Sequence, residues 1–383
     1  MPRPPNIASA ISDLSANVFS KFVPKITALS GEVFPLHIGD TWLEPAVKMQ
    51  DMNSSDNPGL HRYSRPVGHP ILIDAISDDR QVTSRRIVVT AGVTGGLHIC
   101  LQTLLNPGEE VLILTPYWPL IEGIVRINNG NPVLVPFFEE QLLQSSIDDL
   151  VSPYITERTV AIYVNSPNNP SGHCLNFTQV RALAEIARAH NLWILSDEVY
   201  DRLCFKKHHS IRDVAPERSF SFHSFSKVYG MAGNRCGFII MPDQDSHLSN
   251  LVRSTTYTYY SVGTAAQLAA AAILKDDQGF LQHIQQQYLE MARWTANALD
   301  VRVPSGGTFL FINVADVLQG EENSDSLVLE CLEKNLILAP GESFGNRYKK
   351  HLRVCFTSIE PHRTKQAIEI LLEILEQRRQ RQS

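Results

Sequence analysis

The chain has 383 residues, 43% hydrophobic and 19% charged, a composition that excludes a disordered chain and suggests about two or three domains. Its 34 basic and 40 acidic residues give a net charge of −6, without the basic footprint of a nucleic-acid binder. No run of 18 apolar residues occurs, so no membrane span is expected; the first residues lack the apolar stretch of a signal peptide, and the expected location is cytoplasmic.

In chain order, residues 86–90 (RIVVT) predict a short buried strand, followed by a Gly-containing turn at 91–96 and a helix at 97–105 that Pro107-Gly108 stops. Strands are expected at 111–114, 133–135 and 160–164, a helix at 177–190, and strands at 193–195, 219–225 and 237–241. This alternation predicts an α/β fold, a mostly parallel sheet between helices. Such sheets carry their functional residues beyond the carboxyl ends of the strands. Toward the C-terminus, a long helix at 276–299, a strand at 308–314, a helix at 325–335, a strand at 352–357 and a helix at 361–379 predict a smaller α+β domain. Arg378-Arg379-Gln380-Arg381 is expected to be a solvated helix end, where positive charge suits the helix dipole.

The six cysteines, Cys100, Cys174, Cys204, Cys236, Cys331 and Cys355, form no CxxC pair. Reduced thiols in or near the core are expected, and no metal site.

Four clusters carry chemistry. Lys227 lies in Ser224-Phe-Ser-Lys among small and apolar residues; desolvation lowers a lysine's pKa, and the neutral amine is the form that makes a Schiff base. Arg235 follows eight residues later with Gly and apolar flanks, which predicts a buried guanidinium in need of an anion such as phosphate. Asp197 in Ser-Asp-Glu-Val-Tyr200 ends an apolar strand, where a carboxylate requires a partner; a pyridinium nitrogen would serve, and an N-cap is the plainer reading. Asn165–Gly172 (NSPNNPSG) reads as a polar turn, and Thr90–Leu97 (TAGVTGGL) as a strand–turn–helix whose exposed amides suit a phosphate.

With these clusters in this order, the chain resembles the fold-type I, pyridoxal-phosphate-dependent aminotransferases of class I/II over roughly residues 30–375. Further matching segments are His61–Pro70 (HRYSRPVGHP), Pro116-Tyr117-Trp118, Pro340–Gly345 (PGESFG) and Arg353 in LRVCF. The resemblance implies a large cofactor domain at 46–275 with a seven-stranded-type sheet. It implies a small discontinuous domain from 1–45 and 276–383. It also implies a ping-pong transfer of an amino group from an L-amino acid to a 2-oxo acid, with pyridoxal 5′-phosphate on Lys227.

By the same resemblance, Asp197 pairs with the pyridine nitrogen, and Asn169 and Tyr200 bond the cofactor's phenolic oxygen. Trp118, or Tyr117 if the match shifts by one, stacks on the ring. Val93 and Thr94 amides, Ser224 and Arg235 hold the phosphate. Tyr63 reaches the phosphate in the neighbouring subunit of a homodimer with composite sites, and Thr264 is a looser cross-subunit match. Arg353, Asn169 and Gly39 receive the substrate carboxylate. Gly39-Asp-Thr-Trp42 departs from the family's usual G-E-P-D-F, which leaves open whether Trp42, Arg62 or Arg65 shape the side-chain pocket. A β- or γ-eliminating C–S lyase or a cyclase on the same fold is the alternative.

Overall fold

A computed structural model describes residues 11, 14, 19–46, 56, 57, 59–142, 144–243, 247–275 and 279–382. After a two-residue strand β1 (Phe34–Pro35), one seven-stranded sheet forms from β2 (Ile87–Thr90), β3 (Glu110–Thr115), β4 (Asn131–Pro136), β5 (Thr159–Asn165), β6 (Trp193–Asp197), β7 (Ser219–Ser224) and β8 (Gly237–Ile240). Their spatial order is β2-β8-β7-β6-β5-β3-β4. All pairs are parallel except those of β8, which runs antiparallel to β2 and β7. β4 is longer than its apolar centre suggests and contains Pro132 and Pro136; as an edge strand it has no outer ladder to lose.

Alternate residues of each strand enter different cores, as a pleat requires. Val111 and Ile113 pack with Tyr163, Leu195 and Phe222 under the helices Gly92–Leu104 and Leu120–Ile127. Leu112 and Leu114 face the other way, with Ile162, Val164 and Ile194 under the helix Phe177–Ala189. Both faces of the sheet are therefore covered, which explains why its strands read as continuous apolar runs.

One boundary differs from the sequence reading. The stretch expected as a turn at 91–96 is already the first turn of the helix Gly92–Leu104. Its glycines serve close packing: a Cβ at Gly96 would stand 3.2 Å from Thr90 Oγ1, 3.3 Å from Phe222 and 3.4 Å from Ile239. The helix start is thus pressed against the sheet just beyond the end of β2.

A second core joins the two ends of the chain. β9 (Phe309–Asn313), β11 (Ala339–Pro340) and β12 (His351–Cys355) form an antiparallel sheet in the order β11-β12-β9, and β1 pairs in parallel with β10 (Leu336–Ile337). Phe34 and Leu36 pack there with Leu327, Leu352, Ile368 and Leu371. The helix Phe280–Ala298 is shared: Ile284 and Tyr288 face the core of the large sheet, Met291 and Ala296 the second core. Its expected beginning at 276–278 lies outside the described residues. Among the described residues, no helix is long and apolar enough to cross a membrane.

The basic helix end is not simply solvated. Arg378 is buried, donating to Glu330, Glu322 and the Val317 carbonyl, while Arg379 pairs with Asp316. The last helix, Pro361–Gln382, thereby places a cation against acidic neighbours that sequence distance concealed.

Replacing Gly96 by Val should destabilise the protein by about 1–3 kcal/mol, because Thr90, Phe222 and Ile239 leave no room for branched carbons. Equilibrium unfolding in guanidinium checks this, and a variant as stable as the parent would contradict the packing argument.

Candidate active site

Every parallel strand of the large sheet delivers its carboxyl end to the same edge, and antiparallel β8 delivers its amino end there. That brings together the loops after β2, β3, β5, β6 and β7 and the residues just before β8. They surround a cavity of about 300 Å³ whose lining includes Val93, Thr94, Trp118, Asn169, Asp197, Tyr200, Ser224, Lys227, Arg235, Gly39 and Arg353. Eleven of the twelve residues singled out in the sequence meet in this one place.

Lys227 follows β7 and is half-buried. Its Nζ donates to the Gly39 carbonyl at 2.5 Å. Desolvation lowers its pKa from the ordinary lysine value; Asp40 and Cys355 act against the shift, and Arg353 and Arg235 add to it. An amine in this setting gives up its proton more readily than one on the surface.

Asp197 ends β6 and is 3% exposed. Its Oδ2 accepts from the Tyr163 hydroxyl at 2.7 Å and its Oδ1 from the Val199 amide at 3.2 Å. Burial raises its pKa to about 6, despite the lowering effect of these two hydrogen bonds. The N-cap reading fails in its simple form: the amide contact is real, but it leaves a buried carboxylate facing the cavity without a cation on it. Asn165, opposite Asp197 in the β5–β6 register, donates to the Asp197 carbonyl at 2.9 Å and accepts from the Asn169 amide at 2.6 Å. The apolar run of β5 hid Tyr163 from the sequence reading, and Asn165 was read there only as the start of a polar turn.

At the other end of the cavity, the helix Gly92–Leu104 begins with no acidic residue in its first turn and no side chain capping its amides. Arg235 stands over it: a Cβ on Gly92 would lie 2.5 Å from Arg235 Nη2. Arg235 is exposed, contrary to the burial expected from its flanks. It adopts a left-handed conformation (φ +49°) at the end of the turn Ala232–Asn234, which points it out over the rim. Among the described residues, its guanidinium donates to the Ala232 and Ala91 carbonyls, at 2.8 and 3.5 Å. Ser224 hydrogen-bonds Ser226 at 2.8 Å, and Ser226, missed in the sequence, also lines the cavity. Uncapped helix amides, hydroxyls and a guanidinium form an anion cradle.

Arg353, on β12, is buried. Its Nη1 donates to Asn169 Oδ1 at 2.9 Å and its Nη2 to the His37 carbonyl at 2.5 Å. Its Nε has no partner, and no carboxylate among the described residues pairs with it. The rings of Phe309 and Phe344 stand 4.2 and 4.8 Å from its guanidinium carbon. Burial, with Arg353 close by, lowers the His37 pKa to about 4, so that imidazole is neutral at pH 7. Phe19, Ile38 and Leu120 complete an apolar mouth.

Other expectations resolve geometrically. Trp118 lines the cavity, whereas Tyr117 is buried away from it and donates to Glu122 at 2.6 Å. Trp42 packs on Tyr288, with ring centroids 5.5 Å apart, and Arg62 and Arg65 are exposed; none of the three lines the cavity. Tyr63 lies outside the cavity, 88% exposed, against Tyr260, and Thr264 donates to the Arg62 carbonyl at 3.1 Å. Glu198, Asp201 and His223 bring potential metal-binding atoms within 4.8 Å of one another, but Arg80 already bonds Asp201 there at 2.5 Å.

Comparisons with known proteins place the chain in a family. The family model for aminotransferase class I and II matches residues 32–371. An aspartate aminotransferase of Pyrococcus abyssi is 30% identical over 319 residues, spanning 78% of this chain and 80% of that one. An aromatic-amino-acid aminotransferase 2 of Thermococcus litoralis is 30% identical over the same shares, 78% and 80%. The crystal structure of an aromatic aminotransferase from Pyrococcus horikoshii OT3 superposes with a TM-score of 0.84 at 25% identity, over 93% of this chain and 99% of that one. An aspartate aminotransferase double mutant of Thermus thermophilus shares the fold, with a TM-score of 0.87 at 24% identity over 97% and 100% of the two chains. With the family model spanning most of its length, the chain belongs to the class I and II aminotransferases, a pyridoxal-phosphate-dependent family.

Proposed function

We propose that the cavity holds pyridoxal 5′-phosphate on Lys227 and moves the amino group of an apolar L-amino acid to a 2-oxo acid. The observation that carries this reading is Arg353, a buried guanidinium with an unpartnered Nε and no carboxylate of its own. A buried cation needs an anion, and a planar guanidinium takes a carboxylate by two parallel bonds.

The residues fit the cofactor. The uncapped amides of Val93 and Thr94, with Ser224, Ser226 and Arg235, would hold its phosphate; Asp197 would hold its ring nitrogen; Asn169 and Tyr200 would hold its phenolic oxygen; and Trp118 would cover its ring. When bound, pyridoxal phosphate supplies an electron sink for the pair left behind as the substrate's α-proton departs.

The chain's own groups do the rest. Arg353 and Asn169, already bonded to each other, fix the substrate carboxylate, and the neutral His37 adds no competing charge. Fixing the carboxylate also fixes the α-carbon relative to Lys227, so that the proton faces the amine rather than the cavity mouth. Lys227 Nζ, with its lowered pKa, is the base that takes this proton and holds it. Asp197, its carboxyl ionised above about pH 6, would keep a proton on the ring nitrogen it faces. The donor's product leaves before the acceptor binds, because Arg353 takes one carboxylate at a time.

Phe19, Ile38 and Leu120 favour an apolar side chain, and Thr94 supplies no cation for an acidic one. Exposed Tyr63, beside Tyr260, supports a homodimer in which it reaches the neighbour's phosphate. The second core, built from both chain ends, supports the division into a large domain at 46–275 and a small one from 1–45 and 276–383.

A donor–acceptor screen tests the whole reading. As donors to one and the same 2-oxo acid, phenylalanine or leucine should outpace aspartate by about tenfold or more in kcat/KM, a difference of roughly 1.4 kcal/mol. Lys227→Ala should abolish both turnover and borohydride-fixed cofactor. Ammonia released catalytically from an amino acid alone would refute the transferase reading.

Arg353→Lys keeps the charge but loses the fork. It should lower kcat/KM by about 30-fold or more, equivalent to about 2 kcal/mol, mostly through KM. An unchanged KM would remove Arg353 from the carboxylate site.

Asp197 makes the cofactor-free protein pH-sensitive. Folding raises its pKa from 3.8 to about 6, so the folded chain binds the extra proton in that interval, and Asp197 counts against stability once pH rises through 6. Cofactor-free Asp197→Asn should therefore be more stable than its parent at pH 7, by on the order of 2 kcal/mol, with the difference gone below pH 4. Thermal midpoints measured across that range check the sign.

A further inference from the structure

Two thiols 30 residues apart in sequence meet behind the cavity. Cys174 follows the loop that carries Asn169, and Cys204 ends the turn Asp201–Leu203 that follows Tyr200. Their Sγ atoms are 2.9 Å apart, within about 1 Å of a disulfide's bond length. Both are half-buried, whereas Cys100, Cys236, Cys331 and Cys355 are buried.

The fold holds the pair in register from a third side. Cys204 bridges Gly306 in an antiparallel pairing. A Cβ at Gly306 would lie 2.8 Å from Cys174 Sγ and 3.0 Å from the Cys204 Cα, so only glycine lets the segment before β9 close over both thiols.

The two sulfurs are not equivalent. His208 lies near enough to Cys204 to act on it electrostatically, and its Nε2 lies 2.9 Å from Glu198 Oε2. Glu198 also accepts from Ser196 at 2.9 Å and from Ser210 at 2.7 Å, which fixes the carboxylate. Burial opposes a charge on His208, but the neighbouring Cys204 and Glu198 outweigh this and raise its pKa to about 10. The Cys174 hydrogen bond, with help from His208, holds Cys204 well below the usual thiol range, while Cys174 is pushed well above it. One sulfur is placed to attack and the other to wait.

We propose that Cys204 and Cys174 form a reversible oxidation site for a hydroperoxide, with Cys204 as the attacking thiol and Cys174 as the resolving one. The Cys204 thiolate attacks one peroxide oxygen. The O–O bond breaks, the leaving hydroxide takes a proton to become water, and Cys204 becomes a sulfenic acid. Cys174 sulfur then attacks Cys204 sulfur, the S–O bond breaks, and the departing hydroxide leaves as water with the Cys174 proton. Two thiols give up two electrons and two protons, and hydrogen peroxide becomes two waters. The disulfide ties the loop of Asn169 to the loop of Asp197 and Tyr200. This inference does not rest on the proposed substrate or cofactor.

Reduced, purified holoenzyme is treated with a small molar excess of hydrogen peroxide and digested under non-reducing conditions for mass spectrometry. The expected product is a single crosslink between the peptides of Cys174 and Cys204, lost on treatment with dithiothreitol. The four buried cysteines are alkylated only after unfolding and serve as internal references. Cys174→Ser should stop at a sulfenic acid on Cys204 that dimedone captures. Cys204→Ser should slow peroxide-driven loss of the remaining thiol at least about tenfold. Absence of the crosslink in the folded holoenzyme overturns the proposal, as does Cys204→Ser with Cys174 oxidised at the parent rate.

Discussion

Arg353 is held by groups from three stretches of chain far apart in sequence. β12 carries it, Asn169 from the loop after β5 accepts from one nitrogen, and the His37 carbonyl accepts from another. Phe309 and Phe344 flank the guanidinium. A buried guanidinium cannot shed its charge, so these partial partners must hold it until a real anion arrives. The second core therefore has to dock where it does: if β12 moved, the cation would lose Asn169 and the site its proposed carboxylate anchor. The contact also keeps Asn169 turned toward the carboxylate position.

The cavity runs from an anion cradle at the start of the helix Gly92–Leu104 to the anion-seeking Arg353, with Lys227 and Asp197 between. On the proposed reading, this is how a chain of net charge −6 would receive anionic ligands. Positive potential comes from single guanidiniums and from backbone amides, which the composition does not count. Antiparallel β8 is central to the arrangement. A parallel strand in its place would send residue 235 to the opposite edge of the sheet, far from Gly92.

The sequence pattern made most of the large sheet legible, because strands buried on both faces are apolar runs separated by turns. The C-terminal helices and strands were legible within a few residues for the same reason. Motif residues at strand ends were legible because chemistry there demands particular side chains. What stayed hidden came from tertiary contact. Gly96 read as part of a turn, but it permits a helix to lie flat on the sheet. Arg235 read as buried, but its left-handed backbone turns it outward. Arg378 read as solvated, although Glu322 and Glu330 wait for it across the second core. Tyr163, His37 and Ser226 carry no local signal, since each acts through a partner that only the fold supplies. The meeting of Cys174 with Cys204 is the extreme case, because spacing rules for paired cysteines see only neighbours.

The Asp197–Asp201 segment shows how one loop assigns opposite tasks to neighbouring acids. Asp197 ends a strand and points into the cavity, where Tyr163 and one amide are too weak to offset burial, and its pKa rises to about 6. Glu198 points to the other side of the sheet. Burial there is opposed by His208, together with His223, and its pKa falls to about 2. Asp201 joins it behind the cavity, bonded to Arg80 and His223. The alternation of side chains in an extended segment is enough to separate the two fates. The acids behind the cavity are satisfied and hold the loop still; the one in front is left unsatisfied, which is the condition for pairing with a cationic ring nitrogen. Neutralising Asp201 would leave Arg80 only its pair with Asp79, and neutralising Glu198 would remove a negative charge that helps raise the Asp197 pKa, so Asp197 responds to charges that never reach the cavity.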